Sequence, residues 1–145
     1  MNLFENAGPL LARLQAEGPF PNGAAVLARA RDILAQLSES EQIAVINAHP
    51  RIGERPDKIS KASFHEQGYE RDTTPPEVLR RLATLNEEYE QKFGFRFVVF
   101  VNRRSKEAIV PLLEARLRGT RDDERRTALR EILAIAEDRL KREES

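Results

Sequence analysis

The sequence predicts an all-α fold, a single compact domain over residues 1–145 with about seven helices and one buried extended segment. Three observations carry this. Apolar residues recur nearly throughout at the three-, four- and seven-residue spacing of half-buried helices. Residues suited to helix starts and stops flank those runs. Only one stretch, 95–101, is rich in aromatic and β-branched residues. Of the 145 residues 40% are apolar and 33% charged, enough apolar content to build a core and too much for disorder.

Leu10, Leu11 and Leu14 form a short stripe behind Pro9, a good first-turn residue. Pro19-Phe20-Pro21-Asn22-Gly23 breaks the chain into a loop. Val26, Leu27, Ala30, Ile33, Leu34 and Leu37 then follow helical spacing. Ser38 and Glu41 read as a capping box for a third helix carrying Ile43 and Ile46. Pro50 stops that helix near His49, because proline keeps its predecessor out of the helical region. Residues 51–61 are polar and interrupted by Gly53 and Pro56, hence a loop, with a short helix expected from Ser60 or Ser63 to about Tyr69.

The next helix starts at Thr73-Thr74-Pro75-Pro76, aligns Val78, Leu82, Leu85, Tyr89 and Phe93, and ends on Gly94. Residues 95–101 would read alone as a strand. A lone strand cannot satisfy its own backbone, so a buried extended segment clasped by helices is expected. Ser105 caps a helix with Ile109, Leu112 and Leu113, ended by Gly119. Asp122, Asp123 and Glu124 put negative charge at the positive end of a last helix, whose apolar face is Leu129, Ile132, Leu133, Ala136 and Leu140.

Composition also excludes functions. The absence of cysteine rules out disulfides, thiolate zinc sites and cysteine nucleophiles. The 24 basic and 24 acidic residues cancel, leaving no net field to draw nucleic acid or an anionic membrane. No apolar run approaches the roughly 20 residues that span a bilayer, and residues 1–5 do not begin like a signal peptide. A soluble, cytoplasmic domain is expected, with neither nucleic acid nor membrane as partner.

Three groups can carry chemistry. His49 ends a helix before a proline; the negative end of the dipole favours imidazolium there, which suits a proton donor near neutral pH. The alternative is a surface histidine that merely finishes the helix. Ser63, Glu66 and Gln67 would share one helical face and offer a hydroxyl, a carboxylate and an amide to a small polar ligand. Ser63 and Glu66 equally match a capping box. Arg139 falls between Ile132 and Ile135 on an apolar face, so its guanidinium must snorkel to water or meet an anion. Asn86, among Leu82, Tyr89 and Phe93, is expected to bond to backbone inside the core. Phosphate-cradling loops, serine-hydrolase elbows and paired-histidine metal helices are absent.

Together, Ala48-His49-Pro50-Arg51-Ile52-Gly53, Ser63-Phe64-His65-Glu66-Gln67, Leu85-Asn86-Glu87-Glu88-Tyr89 and Phe93-Gly94-Phe95-Arg96-Phe97-Val98-Val99 resemble the OHCU decarboxylase family. The terminal stretch ending in Arg139-Leu140, the early Phe4-Glu5-Asn6 and Pro19-Phe20 also fit, so the resemblance spans nearly the whole chain. OHCU is 2-oxo-4-hydroxy-4-carboxy-5-ureidoimidazoline, decarboxylated to (S)-allantoin in urate degradation. The resemblance implies a cofactor-free carboxy-lyase, a homodimer, and a functional link to urate oxidase and hydroxyisourate hydrolase. It makes His49 the catalytic acid/base, Glu66 and Arg139 its catalytic companions, and Pro50, Ser63 and Gln67 substrate contacts. It also implies that Val98, Val99, Phe100, Val101 and Asn102 offer backbone groups to the ring and ureido moiety.

Two departures stand out: Arg96 occupies a position where the family commonly has proline, and Gly68-Tyr69 follows Gln67 where smaller residues are usual. Arg96 near the substrate-facing segment is the feature that would favour an inactive interaction module of the same fold. A decarboxylase for another small ureido or imidazoline acid is the other alternative.

Overall fold

The computed structural model describes residues 3–5, 8–53 and 74–144. They form six helices: α1 (Gly8–Glu17), α2 (Gly23–Gln36), α3 (Glu39–Asn47), α4 (Pro76–Phe93), α5 (Lys106–Arg116) and α6 (Arg121–Glu144). No strand occurs among the described residues. The short helix expected near 60–69 lies outside them.

Local chemistry sets most helix ends. The Asn22 side chain accepts from the Ala25 amide to open α2, and Ser105 accepts from the Ala108 amide to open α5. Ser38 and Glu41 make the reciprocal pair expected at α3. Pro75 and Pro76 start α4. Gly94 ends it at φ 81, a left-handed conformation that a side chain would strain.

α1 packs on α2 and α3, α6 crosses α2, α3 and α4, and α4 lies against α5. Leu10, Ile33, Leu34, Val45, Ile46, Leu82, Leu85 and Ile109 fill the space between them. The buried face of α6 is Ala128, Ile132, Ile135, Ala136 and Leu140. It is turned slightly from the expected stripe, leaving Leu129 and Leu133 only half buried. Arg139 shares this face.

Residues 96–101 form neither helix nor strand, and Phe95, Phe97, Val98 and Val101 are buried, as expected of a segment clasped by helices. The clasp is specific. Tyr89 of α4 meets the Phe97 ring edge-on at 5.4 Å, and Arg116 of α5 lies over Phe97 at 4.5 Å. Arg116 Nη1 donates to the Val98 carbonyl at 2.6 Å, while its Nε donates to Glu124 at 2.7 Å. Burial holds the Tyr89 phenol protonated, and it donates to the same Glu124 at 2.7 Å. Glu124 is thus more than the dipole-compensating charge expected from its position: it is a buried acceptor that ties α6 to α4 and α5, with Arg116 reaching on to Val98.

Candidate active site

His49 follows the last turn of α3, and its amide still donates to the Ile46 carbonyl. Only 4% of the residue is exposed, so it is not a surface histidine finishing a helix. Its Nδ1 lies 3.2 Å from the Val45 carbonyl. A carbonyl can only accept, so Nδ1 carries the proton and Nε2 keeps a lone pair when the ring is neutral.

Neutrality is the resting condition. Burial pulls the His49 pKa from its ordinary 6.5 down to about 4. The Val45 carbonyl and Glu5 favour the cation and Arg139 opposes it, and together they leave desolvation dominant. The expectation that a helix end favours imidazolium is therefore corrected: loss of water outweighs the dipole. At neutral pH His49 offers a base.

The stretch after His49 is fixed from α4. Asn86 Nδ2 donates to the Ile52 carbonyl at 3.1 Å, the expected backbone bond from inside the core. Arg51 grips Glu90 in a bidentate pair along one guanidinium edge, Nε and Nη2 donating at 2.7 and 2.9 Å. These contacts hold Pro50 and Ile52 as one wall of a cavity.

That cavity has a volume of about 40 Å³ and is lined by His49, Pro50, Ile52, residues 97–101, Ile135 and Arg139. His49, Pro50, Val98, Val99, Phe100, Val101 and Arg139, all singled out from sequence, thus converge on one space. Asn102 stands apart, exposed at φ 51 in the turn that ends the segment. Ser63, Glu66 and Gln67 lie outside the described residues.

Part of the segment's backbone is bonded to neighbouring elements and part is not. The Arg96 amide, the Val98 carbonyl and the Phe100 amide are bonded to Asn47, Arg116 and Glu131. Among the described residues, nothing bonds to the Val99 peptide N–H or C=O. Such a pair can serve the donors and acceptors of a polar ring.

Arg139 resolves the choice between snorkelling and meeting an anion. Its Nη2 donates to Glu5 at 2.9 Å and its Nη1 to the Leu3 carbonyl at 3.3 Å. The pair is buried, with side chains 5% and 12% exposed. Sequence reasoning missed Glu5 as a site residue. The available signal was an arginine on an apolar stripe, which demands an anion, and an acid carried inward by two apolar neighbours, Leu3 and Phe4.

The pH dependence of stability follows from the neutral imidazole. Between pH 6.5 and about 4 the unfolded chain protonates its His49 while the fold does not. Stability from this residue is therefore full above pH 6.5 and is lost as pH falls toward 4, by at most about 1.4 kcal/mol per pH unit. Urea melts of the protein and of His49→Asn should diverge across this window, with the variant showing the shallower decline. Parallel curves would mean that His49 titrates normally.

A buried imidazole and an ion-paired guanidinium around one apolar space suit proton transfer to a small polar ring. Comparisons with known proteins point the same way. The OHCU decarboxylase family model matches residues 1–141. The chain is 29% identical over 139 residues to 2-oxo-4-hydroxy-4-carboxy-5-ureidoimidazoline decarboxylase of Halalkalicoccus jeotgali, covering 96% of this chain and 79% of that one. It is 31% identical to 28% of the uric acid degradation bifunctional protein of Bacillus sp. (strain TB-90), over 95% of this chain. A crystal structure of OHCU decarboxylase in the presence of (S)-allantoin shares the fold with a TM-score of 0.77 and 25% identity, covering 96% of this chain and 92% of that one. With that match running through both walls of the cavity and on to α6, the chain belongs to the OHCU decarboxylase family.

Proposed function

We propose that this cavity is where the chain, a carboxy-lyase of urate degradation, converts OHCU to (S)-allantoin, with neutral His49 shuttling the proton. The observation that carries the reading is the convergence of His49, Arg139 and the segment from Phe97 to Val101 on one apolar space.

The substrate bears carboxylate and hydroxyl on one ring carbon, next to a ring C=N bond. As the C–C bond to the carboxylate breaks, its electron pair forms a C=C bond to the ureido-bearing carbon. The imine pair moves onto nitrogen, which takes up a proton. The hydroxyl then becomes a carbonyl as its proton leaves, and the ureido carbon gains one. His49 Nε2 accepts the hydroxyl proton and returns it to the adjacent carbon from one face, which sets the handedness. A histidine that starts neutral suits this order of events.

The apolar lining favours the step, because charge leaves the carboxylate as neutral carbon dioxide forms. A strong cation on the carboxylate would oppose it by stabilising the ground state. Arg139 is already partly neutralised by Glu5, and we assign it to the ring or ureido oxygen. Glu66 is assigned to polarise the reacting centre, and Ser63 and Gln67 to hold the substrate.

The whole chain acts in this reading as one catalytic domain, a cytoplasmic homodimer working with urate oxidase and hydroxyisourate hydrolase. No helix among the described residues is long and apolar enough to cross a membrane. Relatives named as bifunctional proteins of uric acid degradation support the link to other steps of that conversion. The inactive-module alternative drew on Arg96 near the substrate-facing segment, and Arg96 bonds to the end of α3.

Chiral detection of allantoin tests the activity. OHCU would be generated freshly from urate by urate oxidase and hydroxyisourate hydrolase. Rapid formation of the S enantiomer is expected with the protein present. A slow racemic product, equal to the protein-free control, would refute the reading.

A further inference from the structure

Two walls of the cavity come from parts of the chain far apart in sequence. One is the end of α3, which carries His49 and Pro50; the other is the extended segment from Phe97 to Val101. The imidazole is bonded back into α3 through the Val45 carbonyl, so it moves with that helix end. Nothing in the covalent chain near the site fixes the distance between the walls.

Arg96 spans them. It is the covalent neighbour of Phe97, yet it does not line the cavity itself. Its Nη1 donates to the carbonyls of Asn47 and of His49, both at 3.0 Å. Its own amide donates to the Asn47 side chain at 2.9 Å. The carbonyls at a helix C-terminus lack partners within the helix and carry the negative end of its dipole, so a guanidinium there is doubly favoured. One residue thereby makes three bonds across the junction, one of them to the peptide of the proton-shuttling residue itself. A proline at this position would have neither the amide hydrogen nor the guanidinium.

We propose that Arg96 is a positioning residue: it ties the His49 end of α3 to the extended segment and so sets the distance from the imidazole to the substrate held on the Val99 edge. The proposal rests on the reading of His49 as the proton shuttle. A displacement of about 1 Å between reacting groups is enough to cost about 100-fold in rate, so the effect belongs in kcat. The substrate contacts themselves are untouched, which leaves KM in place.

The test is steady-state kinetics of Arg96→Met, which keeps the apolar stem and the backbone amide but removes the two guanidinium bonds, beside Arg96→Lys, which restores a cation able to donate to carbonyls. Arg96→Gln serves as a second donor-poor variant should Arg96→Met fail to fold. The expected result is a kcat about 10- to 100-fold lower in Arg96→Met, KM within about twofold, and partial recovery in Arg96→Lys. Assays well below each variant's melting temperature remove any effect of the folded fraction. An unchanged kcat in the folded donor-poor variant overturns the proposal, as does a raised KM with kcat intact, which would make Arg96 a binding residue. His49→Asn assayed in parallel separates the two readings. Full activity there removes His49 from its role whatever Arg96 does, whereas a large loss there beside an unaffected Arg96→Met overturns the positioning role alone.

Discussion

Replacing His49 by asparagine is expected to lower kcat by about 100- to 10,000-fold while leaving the fold in place. The choice of asparagine matters. Its amide nitrogen can occupy the place of Nδ1 and keep donating to the Val45 carbonyl, whereas nothing replaces the Nε2 lone pair. A buried polar group that keeps its partner costs little stability, so circular dichroism and the melting temperature should stay near those of the parent. Alanine would open a void and leave the Val45 side of the ring without a donor, confusing loss of chemistry with loss of structure. Kinetics on freshly generated substrate check the prediction; an unchanged kcat would leave the proton transfer to another group.

Removing Arg139 is expected to act on stability and on binding at once. Arg139→Met strips the positive charge opposite Glu5 at a site where both side chains are nearly excluded from water. Breaking a buried pair in this way costs about 3–5 kcal/mol, a drop of roughly 10 °C or more in melting temperature for a chain of this size. Arg139→Met combined with Glu5→Gln should recover much of that loss, because no charge is left to bury. Substrate affinity should not return in the double variant. Arg139→Lys separates the two effects further: it keeps the charge but loses the planar fork that now serves Glu5 and the Leu3 carbonyl together. A KM raised about tenfold with a melting temperature close to the parent is the expected result. Thermal melts and KM values for the three variants check this. Equal melting temperatures for the parent and Arg139→Met would show that the Glu5 pair contributes no stability.

How much of this was legible in the sequence depended on how far the causes reach along the chain. The Ser38–Glu41 capping box and the Ser105 cap each depend on residues three apart, and both are present. The extended segment at 95–101 was legible by a different route. Its residues favour a strand, but the absence of any second strand-like run left burial between helices as the way to house it. His49 was legible as a helix-ending residue because Pro50 stands beside it.

Its charge state was not. The groups that desolvate and bias the ring include Phe97, Ile135, Arg139 and Glu5, which lie 44 to 90 residues away, and no local pattern reveals them. The same distance hid the Glu5–Arg139 pair, whose members are 134 residues apart. Glu124 shows a third kind of limit. Its position in the first turn of α6 was read correctly as a dipole effect, yet the bonds from Arg116 and Tyr89 turn it into a buried hub. The effect of Arg96 was open from sequence for the same reason: the carbonyls at the end of α3 that hold it lie 47 and 49 residues away.

The central claim is that one cavity, walled by His49, the extended segment and Arg139, is where the substrate binds and reacts. The most direct measurement is a residue-resolved NMR titration of the protein with (S)-allantoin, following backbone amides and the His49 ring nitrogens. The account predicts that the largest shifts fall on residues 98–101 and on His49 Nε2, with Nδ1 still protonated against Val45. Shifts centred instead on the apolar groove around Leu11, Phe20 and Val26, with residues 98–101 and His49 unmoved, would contradict it.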